Sequence, residues 1–330
     1  MRLHENEKLF KQAVSYTAQQ MGIPPIYVEK DYWVTFALYT LFNSELSNSI
    51  VFKGGTALSK CFGFIERFSE DIDLVVLQTG DESGNALKKK LKAISEIVSA
   101  VMPEVEVEGV THKMGMIRKT AHGFKKIFRG DYGQVRKELI VESSWLGYFE
   151  PYHKTTISSY IHEMIQGSDQ VQLIEDFGLH PFEVTVLDPK RTICEKIMSL
   201  VRFSYSEDPA LTLGQKVRHF YDLNQLLARE EYSAYFDSPD FEDMLLKVAW
   251  DDTKSFKNEN EWLEIHPQNA LLFSDPEQVW TTVKKVYENE FRDLVYGTFP
   301  PESDILATLN RIANRLKTIT WDIKVDKSDA

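Results

Sequence analysis

Cysteine and long apolar runs are both scarce in this chain of 330 residues. Its two cysteines, Cys61 and Cys194, stand far apart and neither belongs to a Cys-x-x-Cys pair, so no disulfide framework or zinc site is indicated. We expect two buried thiols. The longest apolar stretch, YWVTFALYTLF at residues 32–42, is shorter than the roughly 20 residues of a membrane-spanning helix. The start of the chain lacks an apolar core of signal-peptide type, so a cytoplasmic protein is predicted.

Positive charge is also scarce, except in one segment. The net charge of -12 argues against a protein whose surface coats nucleic acid. Residues 113–137, however, carry eight bases against one acid, Asp131, with aromatic residues between them. Bases and rings together are typical of a surface that binds a single-stranded nucleic acid or a nucleotide. A solvated β-hairpin is the alternative. The bases are Lys113, Arg118, Lys119, Lys125, Lys126, Arg129, Arg136 and Lys137; the rings are Phe124, Phe128 and Tyr132; the hairpin would turn at Gly123, Gly130 and Gly133.

Apolar periodicity divides the chain into a mixed first part and a helical second part. With 43% apolar and 27% charged residues, the composition is globular, and the length allows two domains. The period changes from two to about 3.6 at the Asp188-Pro189 pair, which predicts domains over residues 1–188 and 189–330. Helices are predicted over residues 4–21, 25–42, 56–63 and 81–102, and strands over residues 49–55, 71–77, 105–110, 124–128, 138–142 and 182–187.

Two glycines directly follow the apolar run in VFKGGTALSK. Glycines between a strand and a helix let the backbone approach a ligand closely, and a helix N-terminus attracts anions. Gly54, Gly55 and Thr56 are therefore candidates for holding phosphate. A Gly-Gly turn is common, however, so the turn alone is weak evidence.

Two acids, Asp71 and Asp73, occupy alternate positions of the next strand, DIDLVVL. Residues two apart on a strand point to one face, and two adjacent carboxylates require a cation. Magnesium is suited to this pair because it prefers oxygen ligands and substrate phosphates. The alternative is two strands and a turn with acids at a solvent edge. The combination of Gly-Gly-Thr, fourteen residues and Asp-apolar-Asp favours a nucleotide site.

KGGTALSK together with RFSEDIDL resembles the DNA polymerase β-type nucleotidyltransferases, specifically the AbiEii/AbiGii toxin family. Further similarity lies in four other segments. The resemblance implies an α+β fold: a minimal nucleotidyltransferase mixed sheet with flanking helices and a C-terminal helical domain. The four segments are VEKDYWV at 28–34, ELIVESSW at 138–145, TICEKIMSL at 192–200 and RHFYDL at 218–223.

The same resemblance implies roles for individual residues. Asp71 and Asp73 would be the catalytic carboxylates that bind two Mg²⁺ ions, with Glu142 as the third acid and Ser69 close to the metal site. Lys196 would neutralise phosphate charge and Asp222 belongs to the final motif. Nucleotide binding is implied for Lys53, Gly54, Gly55, Thr56 and Ser59.

Structural alternatives stay open for several of these residues. On a period of two, Glu142 shares a face with Glu138 and Ile140, so it could be a strand-edge acid. Lys196 could lie on a helix surface, and Asp222 has the i,i+4 spacing of a salt bridge with Arg218. His219 stands where relatives often have an acid, and the fourteen-residue spacing is slightly long. Lys30 and Asp31 could likewise be helix-surface residues, and a structural role is favoured over a catalytic one.

The resemblance implies nucleotide transfer from a nucleoside triphosphate (NTP). The basic segment favours RNA as the acceptor, and the resemblance implies the acceptor end of a transfer RNA (tRNA) as the target. No organic cofactor is required. The resemblance implies a toxin of a toxin-antitoxin or phage-defence system, with a cognate antitoxin as partner. The alternatives are nucleotidylation of a protein hydroxyl and a non-catalytic nucleotide-binding module.

Overall fold

The computed structural model describes residues 1–113, 115–130, 135–145, 150–256 and 260–325. The chain forms two compact units, Met1–Trp145 with Tyr152–Leu187 and Leu146–Pro151 with Asp188–Ala330. Among the described residues, none of the helices combines the length and the apolar character that crossing a bilayer requires. Asp131, Tyr132 and Gly133, which the sequence places in the basic segment, lie outside the described residues.

The first unit contains a seven-stranded mixed sheet flanked by helices. Its strands are β1 Ile50–Lys53, β2 Ile72–Val76, β3 Glu104–Val105, β4 Ile117–His122, β5 Leu139–Ser144, β6 Tyr152–Ile157 and β7 Phe182–Leu187. The strand order is β3-β4-β5-β2-β1-β7-β6. β1 pairs antiparallel with β2 and parallel with β7, and β2 pairs parallel with β5. The helices are α1 Glu7–Met21, α2 Pro25–Phe42, α3 Gly54–Lys60, α4 Gly84–Ser99, α5 Tyr160–Ile165 and α6 Gln172–Phe177. The predicted α+β class is confirmed.

The first two helices begin and end at local signals in the sequence. The Asn6 side chain accepts a hydrogen bond from the backbone N–H of Leu9 and caps α1, which ends at Gly22 in the left-handed conformation. Pro25 then occupies the first position of α2, where its missing N–H costs nothing. The prediction of a helix over residues 25–42 is confirmed at both ends.

Three consecutive charged residues of α2 are buried and fix separate segments of the first unit. The Glu29 carboxylate accepts hydrogen bonds from the backbone N–H groups of Ile127 and Phe128. Lys30 donates to the backbone carbonyls of Arg136 and Glu138. Burial lowers the pKa of Lys30 to about 8, although nearby carboxylates oppose the shift.

The third buried charge of α2, Asp31, forms an ion pair with Lys60 at 2.5 Å and accepts from the backbone N–H of Tyr160 at 2.8 Å. Lys30 and Asp31 thus make structural contacts, but both side chains are buried, so neither is the helix-surface residue that the sequence suggested. All of these bonds hold elements of the first unit against α2.

Two of the predicted strands are wrong. Of the expected strand at residues 105–110 only Val105 pairs in the sheet, as part of β3, and the chain then turns. Residues 124–128 form no strand, because two of their N–H groups bind the Glu29 carboxylate and not a neighbouring strand.

Two strands lack a sequence signal. In β4, Thr120 and His122 are buried polar residues whose side chains hydrogen-bond each other at 2.9 Å, so the strand does not alternate between apolar and polar residues. β6 is an edge strand with mostly exposed residues. Alternation therefore predicts neither strand.

The second unit is rich in helices, as the sequence predicts after Pro189. Asp188 caps α7 through the backbone N–H of Lys190, and Pro189 is the first helical residue. Cys194 is buried in α7, whereas Cys61 of the first unit is only partly buried, so the prediction of two buried thiols holds fully for Cys194 alone. The helices are α7 Pro189–Ser204, α8 Pro209–Gly214, α9 Val217–Leu227, α10 Glu230–Phe236, α11 Pro239–Ser255, α12 Leu271–Ser274, α13 Pro276–Val286 and α14 Glu302–Leu316.

Candidate functional site

The turn between β1 and α3 lacks a side chain at the point where the carboxylate of Asp73 lies against the backbone. Gly54 follows Lys53 directly and has a φ of +82°, a conformation that L residues with a Cβ rarely adopt. A Cβ on Gly54 would overlap Asp73 Oδ2 and lie 3.2 Å from Asp73 Cγ. The absence of a side chain at residue 54 therefore gives the Asp73 carboxylate its place against the turn.

The second glycine of the turn makes room for two other side chains. A Cβ on Gly55 would lie 2.7 Å from Arg67 Nη2 and 3.0 Å from Ser69 Oγ. The Thr56 hydroxyl donates to Ser69 Oγ at 3.0 Å. Ser69 is thus brought to the Gly-Gly-Thr turn. Arg67 is a buried cation at the same place that the sequence analysis did not single out, although it stands in the quoted RFSEDIDL segment.

Four charged residues lie in one row across neighbouring strands. Lys53 of β1 is opposite Asp73 of β2, Asp73 is opposite Glu142 of β5, and Glu142 is opposite Lys119 of β4. Residues in register on adjacent strands project from the same face of a sheet. The structure therefore brings Asp73 and Glu142 together, with a lysine at each end of the row.

The carboxylates of this row influence each other electrostatically. Burial, together with the negative charges of Glu142 and Asp71, raises the pKa of Asp73 to about 7, although Lys53 and Lys119 oppose the shift. Asp71 immediately precedes β2. Asp71, Asp73 and Glu142 are therefore referred to below as the acidic cluster.

The acidic cluster and the glycine turn have the donor chemistry that a magnesium ion requires. Among the described residues, no group of three or more His, Cys, Asp or Glu side chains is arranged to hold a metal by itself. Magnesium usually takes only one or two carboxylates and completes its shell with water and substrate phosphates. Asp71 and Asp73 can supply that pair, and the turn at Gly54 leaves the backbone open beside Asp73.

Other predicted nucleotide-binding residues lie near this turn in the chain. Lys53 ends β1 and faces Asp73. Ser59 lies in the last turn of α3, where its carbonyl accepts from the backbone N–H of Gly63. A nucleotide contact by the Ser59 hydroxyl stays a prediction.

Lys196 and Asp222 belong to the second unit, where they form a buried ion pair. Lys196 Nζ lies 2.7 Å from Asp222 Oδ2, and the two side chains are 7% and 0% exposed. Lys196 also donates to His219 Nδ1 at 3.3 Å. Lys196 is therefore not an exposed helix-surface residue, and His219 lies beside this pair in the final motif.

Much of the positive charge in residues 113–137 is balanced by acids from other segments. Four of the bases form ion pairs, namely Lys113 with Glu104, Lys119 with Glu142, Lys125 with Glu7 and Lys126 with Glu138. Among the described residues, Arg129, Arg136 and Lys137 are exposed and form no ion pair. The available basic surface is therefore smaller than the sequence count suggests.

Some aromatic residues of the segment also pack against other parts of the first unit and are less available to a ligand. Phe124 stacks on Trp33 with the ring centroids 5.7 Å apart, and the Lys126 ammonium lies 5.5 Å from the centre of the Phe124 ring. Phe128 is half-buried. Phe124 consequently contributes to packing on α2. The alternative interpretation, a β-hairpin, agrees with the antiparallel pairing of β4 with β5 on either side of residues 123–138, and Gly133 of its predicted turn lies outside the described residues.

Comparisons with known proteins identify a family and a similar fold. The model of a family described as "Nucleotidyl transferase AbiEii toxin, Type IV TA system" matches residues 37–310. The fold is similar to MenT4, a nucleotidyltransferase toxin from Mycobacterium tuberculosis H37Rv, with a TM-score of 0.57 and 19% identity over 93% of this chain and 90% of that one.

A second solved structure, of a candidate nucleotidyltransferase from H. pylori, gives a TM-score of 0.44 and 11% identity over 88% of this chain and 94% of that one. No curated protein sequence matches significantly.

Proposed function

This chain belongs to the AbiEii nucleotidyltransferase toxin family of type IV toxin-antitoxin systems, and we propose that it transfers a nucleotide from an NTP to RNA in a Mg²⁺-dependent reaction. The observation that carries the proposal is the acidic cluster of Asp71, Asp73 and Glu142 beside the Gly54 turn. Family membership supports the enzyme class, an NTP substrate and an antitoxin as partner. The metal, the acceptor and the individual residue roles are the proposed part.

In this reaction the first unit binds the triphosphate at the turn after β1. Gly54, Gly55 and Thr56 would hold it through the backbone, and Lys53 would add positive charge. Asp71 and Asp73 would hold the metal. When bound, magnesium supplies Lewis-acid stabilisation of the charge that develops on the phosphate oxygens.

The acceptor hydroxyl attacks the α-phosphorus, and its new oxygen-phosphorus bond replaces the bond to the bridging oxygen of the β-phosphate. Pyrophosphate leaves with that electron pair. Glu142, the register partner of Asp73 on the adjacent strand, would accept the hydroxyl proton. Ser69, beside Gly55 and Thr56, would keep the turn in position.

RNA is the proposed acceptor because exposed bases lie in the segment that flanks β4 and β5. Arg129, Arg136 and Lys137 provide phosphate contacts without having to break an ion pair within the described chain. We propose the acceptor end of tRNA as the target, a reaction that belongs in the cytoplasm. Blocking that end would stop growth, which fits a toxin and a role in phage defence.

We expect the Arg129→Ala, Arg136→Ala and Lys137→Ala triple variant to bind tRNA more weakly than the parent. Loss of three phosphate contacts should reduce the slope of log affinity against log salt by about 2, since each contact with a single strand contributes roughly 0.7. Filter binding at several salt concentrations measures both quantities.

The matched control replaces Lys88, Lys89 and Lys92 of α4, which removes the same charge from exposed positions elsewhere in the first unit. An equal effect in both triple variants would mean that net charge, and not this surface, governs RNA binding.

Lys196→Ala is expected to destabilise the second unit. The buried Asp222 carboxylate would lose its cation, and breaking such a pair costs about 3–5 kcal/mol. Thermal unfolding of the variant measures this loss. A lysine on a helix surface, which the sequence left open for Lys196, could be replaced without such a loss.

A test of whether Lys196 neutralises triphosphate charge therefore requires a variant that removes the charges of both Lys196 and Asp222. Lys196→Gln combined with Asp222→Asn keeps polar side chains of similar size and leaves no unbalanced ion. If this double variant folds and still has the parent's KM for NTP, the proposed phosphate role of Lys196 is wrong.

A further inference from the structure

The row of charged residues across the sheet has a lysine at each end. Lys53 lies on β1, next to the glycine turn, and Lys119 lies on β4, beyond both acids. Neighbouring strands are about 4.8 Å apart, so three strand spacings place the two backbones roughly 14 Å from each other. At this separation the two lysines can bind two different anions, one at each end of the row.

Contacts of Lys119 fix its ammonium on the β4 side of the acids. Lys119 Nζ donates to Glu142 Oε2 at 2.9 Å. Its side chain is 31% exposed, so a ligand can reach it. Burial lowers the pKa of Lys119, but the carboxylates of Glu142, Asp71 and Asp73 outweigh this effect and raise it, which keeps the ammonium charged.

The order of the charged residues along the row indicates at which end the triphosphate binds and at which end the RNA acceptor binds. The glycine turn and Lys53 lie at the β1 end, where the triphosphate is proposed to bind. In-line transfer requires the attacking hydroxyl and the leaving pyrophosphate on opposite sides of the α-phosphorus. The attacking group therefore belongs toward β5 and β4, where Glu142 and Lys119 lie.

We propose that Lys119 binds the RNA acceptor, through the phosphate nearest to the attacking terminal hydroxyl. This inference rests on the proposed function and goes beyond it by naming the side from which RNA enters. Lys119 can contact that phosphate while it stays beside Glu142, because an ammonium has three N–H donors and Glu142 uses one. The same contact keeps the hydroxyl next to the carboxylate that accepts its proton.

The test separates the two lysines by their substrates. Lys119→Ala should raise the KM for tRNA about tenfold or more, as expected for the loss of a charge-assisted hydrogen bond, and should change the KM for NTP less than about twofold. Lys53→Ala should do the opposite. Lys119→Arg should recover most of the affinity for tRNA, because a guanidinium also binds phosphate.

A matched control is available at the other edge of the sheet. Lys154 of β6 pairs with Glu183 of β7 at 2.7 Å, so Lys154→Ala removes a similar lysine-carboxylate pair. It should leave both KM values unchanged. If Lys119→Ala unfolds, Lys119→Gln replaces it, since the amide can still donate to Glu142.

Two results would overturn the role of Lys119. They are an unchanged KM for tRNA in the variant, and equal changes in both KM values, which would mean that Lys119 only balances the charge of the acids. Filter binding of labelled tRNA to the parent and to the Lys119 variant, measured without metal, tests the same contact independently of turnover. A parent protein that binds tRNA through Lys119 but transfers no nucleotide to it would refute the proposed function alone.

Discussion

Replacing Asp73 by asparagine is expected to abolish nucleotide transfer and to raise the melting temperature of the metal-free protein. Asparagine keeps the size and a carbonyl oxygen but removes the charge that holds a magnesium ion beside a triphosphate. The rate of nucleotide transfer should fall by about 10³-fold or more. Loss of one group that stabilises the transition state electrostatically costs up to about 10³-fold. Pyrophosphate release and the unfolding midpoint measure the two effects.

The gain in stability should depend on pH. Burial, with Glu142 and Asp71, raises the pKa of Asp73 from 3.8 to about 7. Between about pH 4 and pH 7 the folded protein retains a proton that the unfolded chain has released, so this group makes stability fall as the pH rises through that interval. The melting temperatures of Asp73→Asn and the parent should therefore differ little near pH 4, diverge up to about pH 7 and stay apart above it.

Asp81→Asn is the control for both measurements. Asp81 is an exposed acid that follows β2 in the chain, outside the acidic cluster. This variant should keep the activity of the parent and show no pH-dependent gain. An active Asp73→Asn protein would instead mean that Asp73 takes no part in transfer, although β2 is an inner strand of the sheet and not the solvent edge of the alternative interpretation.

Gly54→Ala is expected to lose both stability and activity. A positive φ costs an L residue about 1–2 kcal/mol, and here the new methyl group would also collide with Asp73 Oδ2. Relief of that collision requires either the turn or the carboxylate to move, which would disturb the triphosphate and the metal together. Thermal unfolding and the transfer rate of the same preparation test both effects.

Gly63→Ala separates backbone strain from the collision. Gly63 has a φ of +61°, but no atom lies within 4 Å of the position of its missing Cβ. Its replacement should cost about 1–2 kcal/mol and leave transfer intact. If Gly54→Ala behaves in the same way, the proposed closeness of Asp73 to the turn has no functional role.

The sequence predicted the acids and the glycine turn because these depend on local chemistry. Period-two spacing placed Asp71 and Asp73 together, and the position of the glycines between an apolar strand and a helix marked the turn. The choice of Glu142 as third acid came from the family resemblance. Its alignment with Asp73 is a property of the parallel pairing of β2 with β5, which the sequence pattern does not contain.

Other parts of the site depend on contacts between residues distant in the chain. Lys119 and Glu142 are 23 positions apart and meet through β4, a strand in which two of the three buried residues are polar. Glu29 binds backbone groups 98 and 99 positions later and thereby prevents a strand at residues 124–128. Periodicity describes burial within one element, so it cannot reveal such partners.

The buried pair of Lys196 and Asp222 shows the same limitation. From the sequence, Asp222 has a possible local partner at Arg218, whereas the structure pairs it with a lysine 26 positions earlier on another helix. The local spacing gave no reason to expect that either residue would be buried.

Incubation of the protein with each labelled ribonucleoside triphosphate, Mg²⁺ and total tRNA tests the central claim most directly. We predict that label from one or more of the triphosphates becomes attached to tRNA with release of one pyrophosphate per nucleotide, and that Asp73→Asn and chelation of the metal both prevent it. Magnesium-dependent labelling of a protein in place of tRNA, or no pyrophosphate release with any triphosphate, would contradict the account.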